Sequence, residues 1–146
     1  MANQAESPID RLRAALGDQL VEHLVNPRHR GELQDPDGRG RVVSSCGHDH
    51  VEIQLKVLRG QVQQCSFIAR GCAHTQACAS AAADLLADRS LAAARRAASP
   101  EGISRTLGGL PVAKLHCAKL ASRAAVAALD DAIRTAAEPW RKMYRR

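Results

Sequence analysis

Ile9, Leu12, Leu16, Leu20 and Leu24 recur at three- and four-residue steps, so the segment after Ser7-Pro8 carries one apolar stripe that ends at Asn26-Pro27. This spacing predicts an amphipathic docking helix. From 26 to 40 the pattern stops, and two prolines, three glycines, Asp35 and Asp37 read as an irregular loop. The period then changes to two: Val51, Ile53, Leu55 and Val57 alternate with Glu52, Gln54 and Lys56, and Arg59-Gly60 offers a turn before the run from Val62 to Ile68. A β-hairpin follows, joined by a strand at 41–45.

Beyond Gly71 alanine and leucine dominate, and helices are expected at about 74–88, 90–97, 99–107 and 112–136. The breaks fall at Ser90, at Ser99-Pro100 and at Gly108-Gly109-Leu110-Pro111. Alanine runs such as Ala92-Ala93-Ala94 are helix formers interleaved with leucines, and no internal repeat is present. Sheet first and helices after predict an α+β fold. The 146 residues fit one domain, 1–146, with 1–8 and 138–146 as flexible tails.

Composition narrows the function classes. Aromatic residues are 2% of the chain, from Trp140, Tyr144 and Phe67, so the core is aliphatic and base-stacking platforms for single-stranded nucleic acid are missing. The net charge of +6 comes partly from Arg141, Lys142, Arg145 and Arg146, which read as a solvated tail. No apolar run has the length of a membrane span or the layout of a signal peptide, and five cysteines make an odd count. A reducing cytoplasm is the expected compartment.

Three of the cysteines sit among small or metal-binding residues: Cys46 in Ser-Cys-Gly-His-Asp-His, Cys72 in Arg-Gly-Cys-Ala and Cys117 in Lys-Leu-His-Cys. Thiolates and imidazoles are donors for soft or borderline metals such as iron, zinc or Cu(I). The three lie too far apart in sequence for a zinc knuckle, so only the folded chain brings them together. Cys72 and Cys117 also fall near expected helix N-termini, where backbone amides and the helix dipole favour thiolate. Cys65, in mid-strand, and Cys78, about 120° around the helix from Cys72, read as buried hydrophobes, although Cys78 is near enough to resolve an oxidised Cys72. His23 and His29 read as surface or satisfied side chains, and His74 as a neighbour able to tune Cys72.

With Asn-Pro-Arg at 26–28, Gly31, Arg-Gly-Cys-Ala at 70–73 and Leu-Pro-Val-Ala-Lys-Leu-His-Cys at 110–117, the chain resembles the IscU/NifU-type iron–sulfur cluster assembly scaffolds from about residue 20 to about residue 135. The resemblance implies a small three-stranded antiparallel sheet with helices packed on one face. It implies cluster-binding roles for Cys46, Cys72 and Cys117, with His116 matching in the Leu-His-Cys step. It further implies a scaffold without turnover of its own, which takes sulfur from a cysteine desulfurase and iron from solution. A [2Fe–2S] cluster would be built on these thiolates and passed to carriers and apo-proteins.

Two departures from the family pattern stand out. The family's aspartate two positions after the first cysteine is His48 here, followed by Asp49 and His50. Either His48 ligates, giving a Cys₃His site that holds its cluster longer, or Asp49 replaces the carboxylate through a loop shift; strand alternation from Val51 puts 48 and 50 on one face and mildly favours a histidine. The docking segment for an Hsp70-type chaperone, Leu-Pro-Pro-Val-Lys in the family, reads Leu-Pro-Val-Ala-Lys at 110–114 and lacks the second proline. The interval from Cys72 to Cys117 also lacks the insertion of the SufU branch.

No Ser/His/Asp arrangement or paired carboxylates stand out, and Gly38-Arg39-Gly40 is too short for a nucleotide loop. Two other readings fit the residues: a structural zinc site of Cys46, Cys72, Cys117 and a histidine, and a persulfide-accepting sulfur carrier. Homo-oligomerisation is compatible with all three readings.

Overall fold

The computed structural model describes residues 7–144. The N-terminal stripe is not one helix but two, α1 (Pro8–Leu16) and α2 (Asp18–Val25). Gly17 separates them at φ 92° and ψ 153°, a conformation that interrupts the helical ladder. Ser7 and Asp10 form a reciprocal capping box that starts α1. The stripe docks from Leu16 onward: Leu16 packs partly buried against the core and Leu20 is 1% exposed, whereas Leu12 is 44% exposed.

The sheet is β1 (Gly38–Val43), β2 (His50–Leu58) and β3 (Gln61–Arg70), antiparallel in the order β1-β2-β3. The first strand thus starts three residues earlier than its sequence pattern indicates, because Gly38 and Gly40 are strand residues and not loop glycines. Register puts Gly40, Ile53 and Phe67 in one cross-strand row, with Gly38, Leu55 and Cys65 in the next and Val42, Val51 and Ala69 beyond. These rows form the face that the helices cover; Val51, Ile53, Leu55, Phe67 and Cys65 are all in the core.

Helices α3 (Ala73–Leu86), α4 (Leu91–Ala97), α5 (Pro100–Thr106) and α6 (Leu115–Ala137) follow, α6 being preceded by a 3-10 turn at Val112–Lys114. Ser90 and Ser99 cap α4 and α5 through their hydroxyls. The fold is α+β, with a three-stranded antiparallel sheet and its helices on one face. Both sheet edges are covered. The Arg39 amide on β1 donates to Asp131 of α6 at 2.8 Å, and β3 exchanges backbone hydrogen bonds with His29 and Gly31 through Phe67.

The loop from Asn26 is tied to α3 through one hydroxyl. Ser80 Oγ accepts the Arg28 amide at 2.8 Å and pairs with Nδ1 of the buried His23 at 2.8 Å. Replacing Ser80 with Ala strands both partners and is expected to cost about 1–3 kcal/mol in a urea titration. A loss below about 0.5 kcal/mol would show that the loop is held by other contacts.

The C-terminal end also differs from the flexible tail expected from 138. Pro139–Tyr144 forms a 3-10 helix, and Lys142 Nζ lies 2.8 Å from Asp37 and 3.3 Å from Asp35. The tail's charge is therefore used in part to close the 26–40 loop. Ser7 and Pro8, expected in the loose start, likewise begin α1, while 1–6 and 145–146 lie outside the described residues.

Candidate metal centre

Cys72 is the N-cap of α3, directly after β3, and Cys117 lies in the first turn of α6. The packing of these helix ends brings the two Sγ atoms to 3.9 Å. Two sulfurs bound at about 2.3 Å on one tetrahedral metal stand about 3.8 Å apart, so the pair is preset for a shared ion. Thr75, fully buried one turn along α3, joins them: its Oγ1 is 3.5 Å from Cys72 Sγ, 3.4 Å from Cys117 Sγ and 3.2 Å from Asp49 Oδ1. The hydroxyl has one proton to give, and the Asp49 carboxylate and both sulfurs lie within its reach, so the group whose charge is greatest takes it.

Asp49 enters this cluster from the loop between β1 and β2. Its Oδ1 accepts from the Cys72 amide at 3.4 Å, and its own amide donates to Ser44 Oγ at 3.1 Å. Gly71, at φ 139°, leaves room for this approach, since a β-carbon there would overlap the Asp49 carboxylate. Alternation along the chain does separate Asp49 from His50, but with the reverse consequence to the one expected. His50 turns away and accepts from Arg41 Nε at 2.9 Å, while Asp49 faces the cysteines. His48 is exposed in the loop.

His116 is exposed, yet its ring is oriented. Nδ1 lies 3.0 Å from the Ala113 carbonyl, which can only accept, so Nδ1 carries the proton and the Nε2 lone pair faces Cys117 Sγ at 3.4 Å. This imidazole can take the Cys117 proton or bind a metal.

Cys46 stands apart from the preset pair. It is exposed on the loop, 3.2 Å from Ser44 Oγ, and shares with Asp49, His116, Lys119, Leu120 and Arg123 a cavity of about 360 Å³. Among the described residues no three His, Cys, Asp or Glu side chains already converge as a metal cage. Cys46 sits on the 44–49 loop beside Gly47, which takes φ 77° with open space around it.

Environment sorts the five thiols. The Ser44 hydroxyl and then the His48 amide lower Cys46 below the usual thiol range. Burial opposes ionisation of Cys72, but the Thr75 hydroxyl and amide, the Cys117 thiol and the His74 amide outweigh it and bring that group down. Burial, with the nearby Cys72 charge, pushes Cys117 up. Burial also raises Cys65, to about 12, and raises Cys78 further, which makes both poor nucleophiles. His74, beside Cys72, is lowered by burial and by the Lys114 charge.

Sequence pattern did not single out Thr75, Ser44, Lys119 or Arg123. A hydroxyl is no soft-metal ligand, and the only signal for Thr75 was its i+3 position after Cys72.

Residues 16–137 match the profile of the family described as the NifU-like N terminal domain. The iron–sulfur cluster assembly scaffold protein IscU of Azotobacter vinelandii is 35% identical over 121 residues, covering 80% of this chain and 93% of that protein. The scaffold protein IscU 1 of Archaeoglobus fulgidus is 32% identical over 117 residues, covering 80% of this chain and 76% of its own. A crystal structure from Fervidobacterium islandicum AW-1, of a protein assigned by inference as an iron–sulfur cluster assembly scaffold for the SUF system, shares the fold with a TM-score of 0.65 at 12% identity. The match covers 80% of this chain and 98% of that one.

Proposed function

The chain belongs to the NifU-like N-terminal domain family of iron–sulfur cluster assembly scaffolds, and we propose that its cargo is a [2Fe–2S] cluster held by Cys46, Cys72, Cys117 and Asp49. The observation that carries this reading is the 3.9 Å pair of Cys72 and Cys117 with Asp49 bound to the same Thr75 hydroxyl. Three thiolates suit iron, and a hard carboxylate as fourth donor makes a labile corner from which the cargo can leave. His116 stands beside Cys117 as the proton acceptor during loading and as a competing ligand on release.

Sulfur arrives first at Cys46, the exposed thiol, as a persulfide from a cysteine desulfurase, and loop closure then carries it to the pair. As a scaffold the protein works with cluster donors and recipients, which we take to be the desulfurase and apo iron–sulfur proteins or carriers. The Leu110–Lys114 segment supports a chaperone contact, because Val112 is 86% exposed within it. No described helix is long and apolar enough to cross a membrane.

Anaerobic reconstitution with ferrous iron, cysteine and a desulfurase, followed by visible absorption and transfer to an apo-ferredoxin, tests the reading. A chromophore that moves to the acceptor is expected; a colourless protein holding stoichiometric zinc would replace it with a structural zinc site. The fourth ligand is tested in the same assay. Asp49→His is expected to slow transfer on the order of tenfold, by exchanging a hard donor for a borderline one, while His48→Asp leaves the rate unchanged. Faster transfer from His48→Asp would move the ligand to His48.

A further inference from the structure

The cavity beside Cys46 has features that holding a cluster does not explain. Its floor is Leu120, one wall is the Ser44–Asp49 loop, and the other is a single face of α6 carrying His116, Lys119 and Arg123. Lys119 and Arg123 are one helical turn apart and point into the same space, and among the described residues neither forms an ion pair. The only carboxylate on the lining, Asp49, is turned toward Thr75 and the Cys72 amide. Two cations therefore face a thiol across a space of about 360 Å³, the size of a small-molecule site.

We propose that this cavity binds a low-molecular-weight persulfide bearing a carboxylate, of amino-acid size. Lys119 and Arg123 hold the carboxylate, and Cys46 receives the outer sulfur. The Cys46 thiolate attacks that sulfur, the sulfur–sulfur bond of the donor breaks, and the donor leaves as its thiolate. Cys46 ends as a persulfide. Oxidation of Cys46 balances reduction of the donor sulfur, so no further oxidant takes part. The leaving thiolate and the carboxylate are both anionic, which is the charge that two unpaired cations on one wall select. The inference rests on Cys46 being the sulfur acceptor and gives that residue a second source of sulfur besides a protein donor.

The test uses the full-length, reduced, metal-free protein and two probes made anaerobically, N-acetylcysteine persulfide and its uncharged amide. The quantity read is the initial rate at which the Cys46 peptide gains one sulfur by mass spectrometry. The acid is expected to react about tenfold faster than the amide at low salt, and the preference to fall to near unity in the Lys119→Ala/Arg123→Ala variant. Because the readout is a ratio within each protein, a general loss of reactivity in the variant does not imitate the result. Equal rates for acid and amide in the native protein, or a preference that survives the double substitution, would overturn the site while leaving Cys46 as acceptor. Sulfur gained from neither probe would overturn the site and confine the acceptor role of Cys46 to a protein donor.

Discussion

Gly40→Val is expected to destabilise the protein by about 3 kcal/mol or more, and Gly40→Ala by about 1–3 kcal/mol, in equilibrium denaturation. The cause is an approach of backbone to backbone. A β-carbon at Gly40 would overlap the Ala124 carbonyl, the Ala128 amide and the Ala127 methyl, and none of these is the far end of a flexible side chain. Relief requires α6 to lift from β1 or β1 to leave β2, and either opens the row in which Gly40 stands beside Ile53 and Phe67. Arg39→Val, next along the strand and facing away, is the control. The Arg39 contact with Asp131 is made by its amide, and its side chain makes only a long 4.0 Å ion pair with Glu52, so a change within about 0.5 kcal/mol is expected. Equal losses at 39 and 40 would place the effect in a general disturbance of β1 and not in the helix contact.

This packing also shows where the sequence was legible. The hairpin was readable from alternation at 51–57, and the helices beyond Gly71 from alanine and leucine spacing with Ser90 and Ser99 as caps, because these are local signals. Gly38 and Gly40 looked like loop residues, since a glycine needed to admit a helix backbone and one needed for a turn are the same letter. Only α6, far along the chain, tells them apart. Gly17 gave the opposite difficulty: the apolar stripe runs through it unbroken, and its φ of 92° is invisible to periodicity.

The site divides in the same way. Cys46, Cys72, Cys117, Asp49, His48 and His116 are residue types whose chemistry marks them wherever they stand. Their arrangement was not legible: that Cys46 stays at the rim, that Asp49 and not His48 turns inward, and that Thr75 joins the pair all depend on how α3, α6 and the 44–49 loop meet. Strand alternation separated positions 49 and 50 correctly. It carried no information about which face the cysteines would approach, because α3 and α6 supply that face.

The division between a close pair and a third donor on an exposed loop sets an order of effects that metal titration can read. In the metal-free protein, Cys117→Ala is expected to weaken Co(II) binding about a hundredfold or more, with loss of the sulfur-to-cobalt absorption, because it removes half of a two-sulfur seat already at 3.9 Å. Cys46→Ala is expected to weaken it less, about tenfold. That thiol starts outside the seat, and part of what it contributes on binding is spent in ordering the 44–49 loop. The fold survives the first substitution at a cost of about 1 kcal/mol, because Thr75 keeps Asp49 as its partner when the Cys117 sulfur is gone. A larger loss from Cys46 than from Cys117 would mean that the loop thiol supplies the first contact and that the buried pair closes onto it. Metal, like sulfur, would then be taken first at the surface thiol and drawn inward, with Asp49 as the last donor to engage.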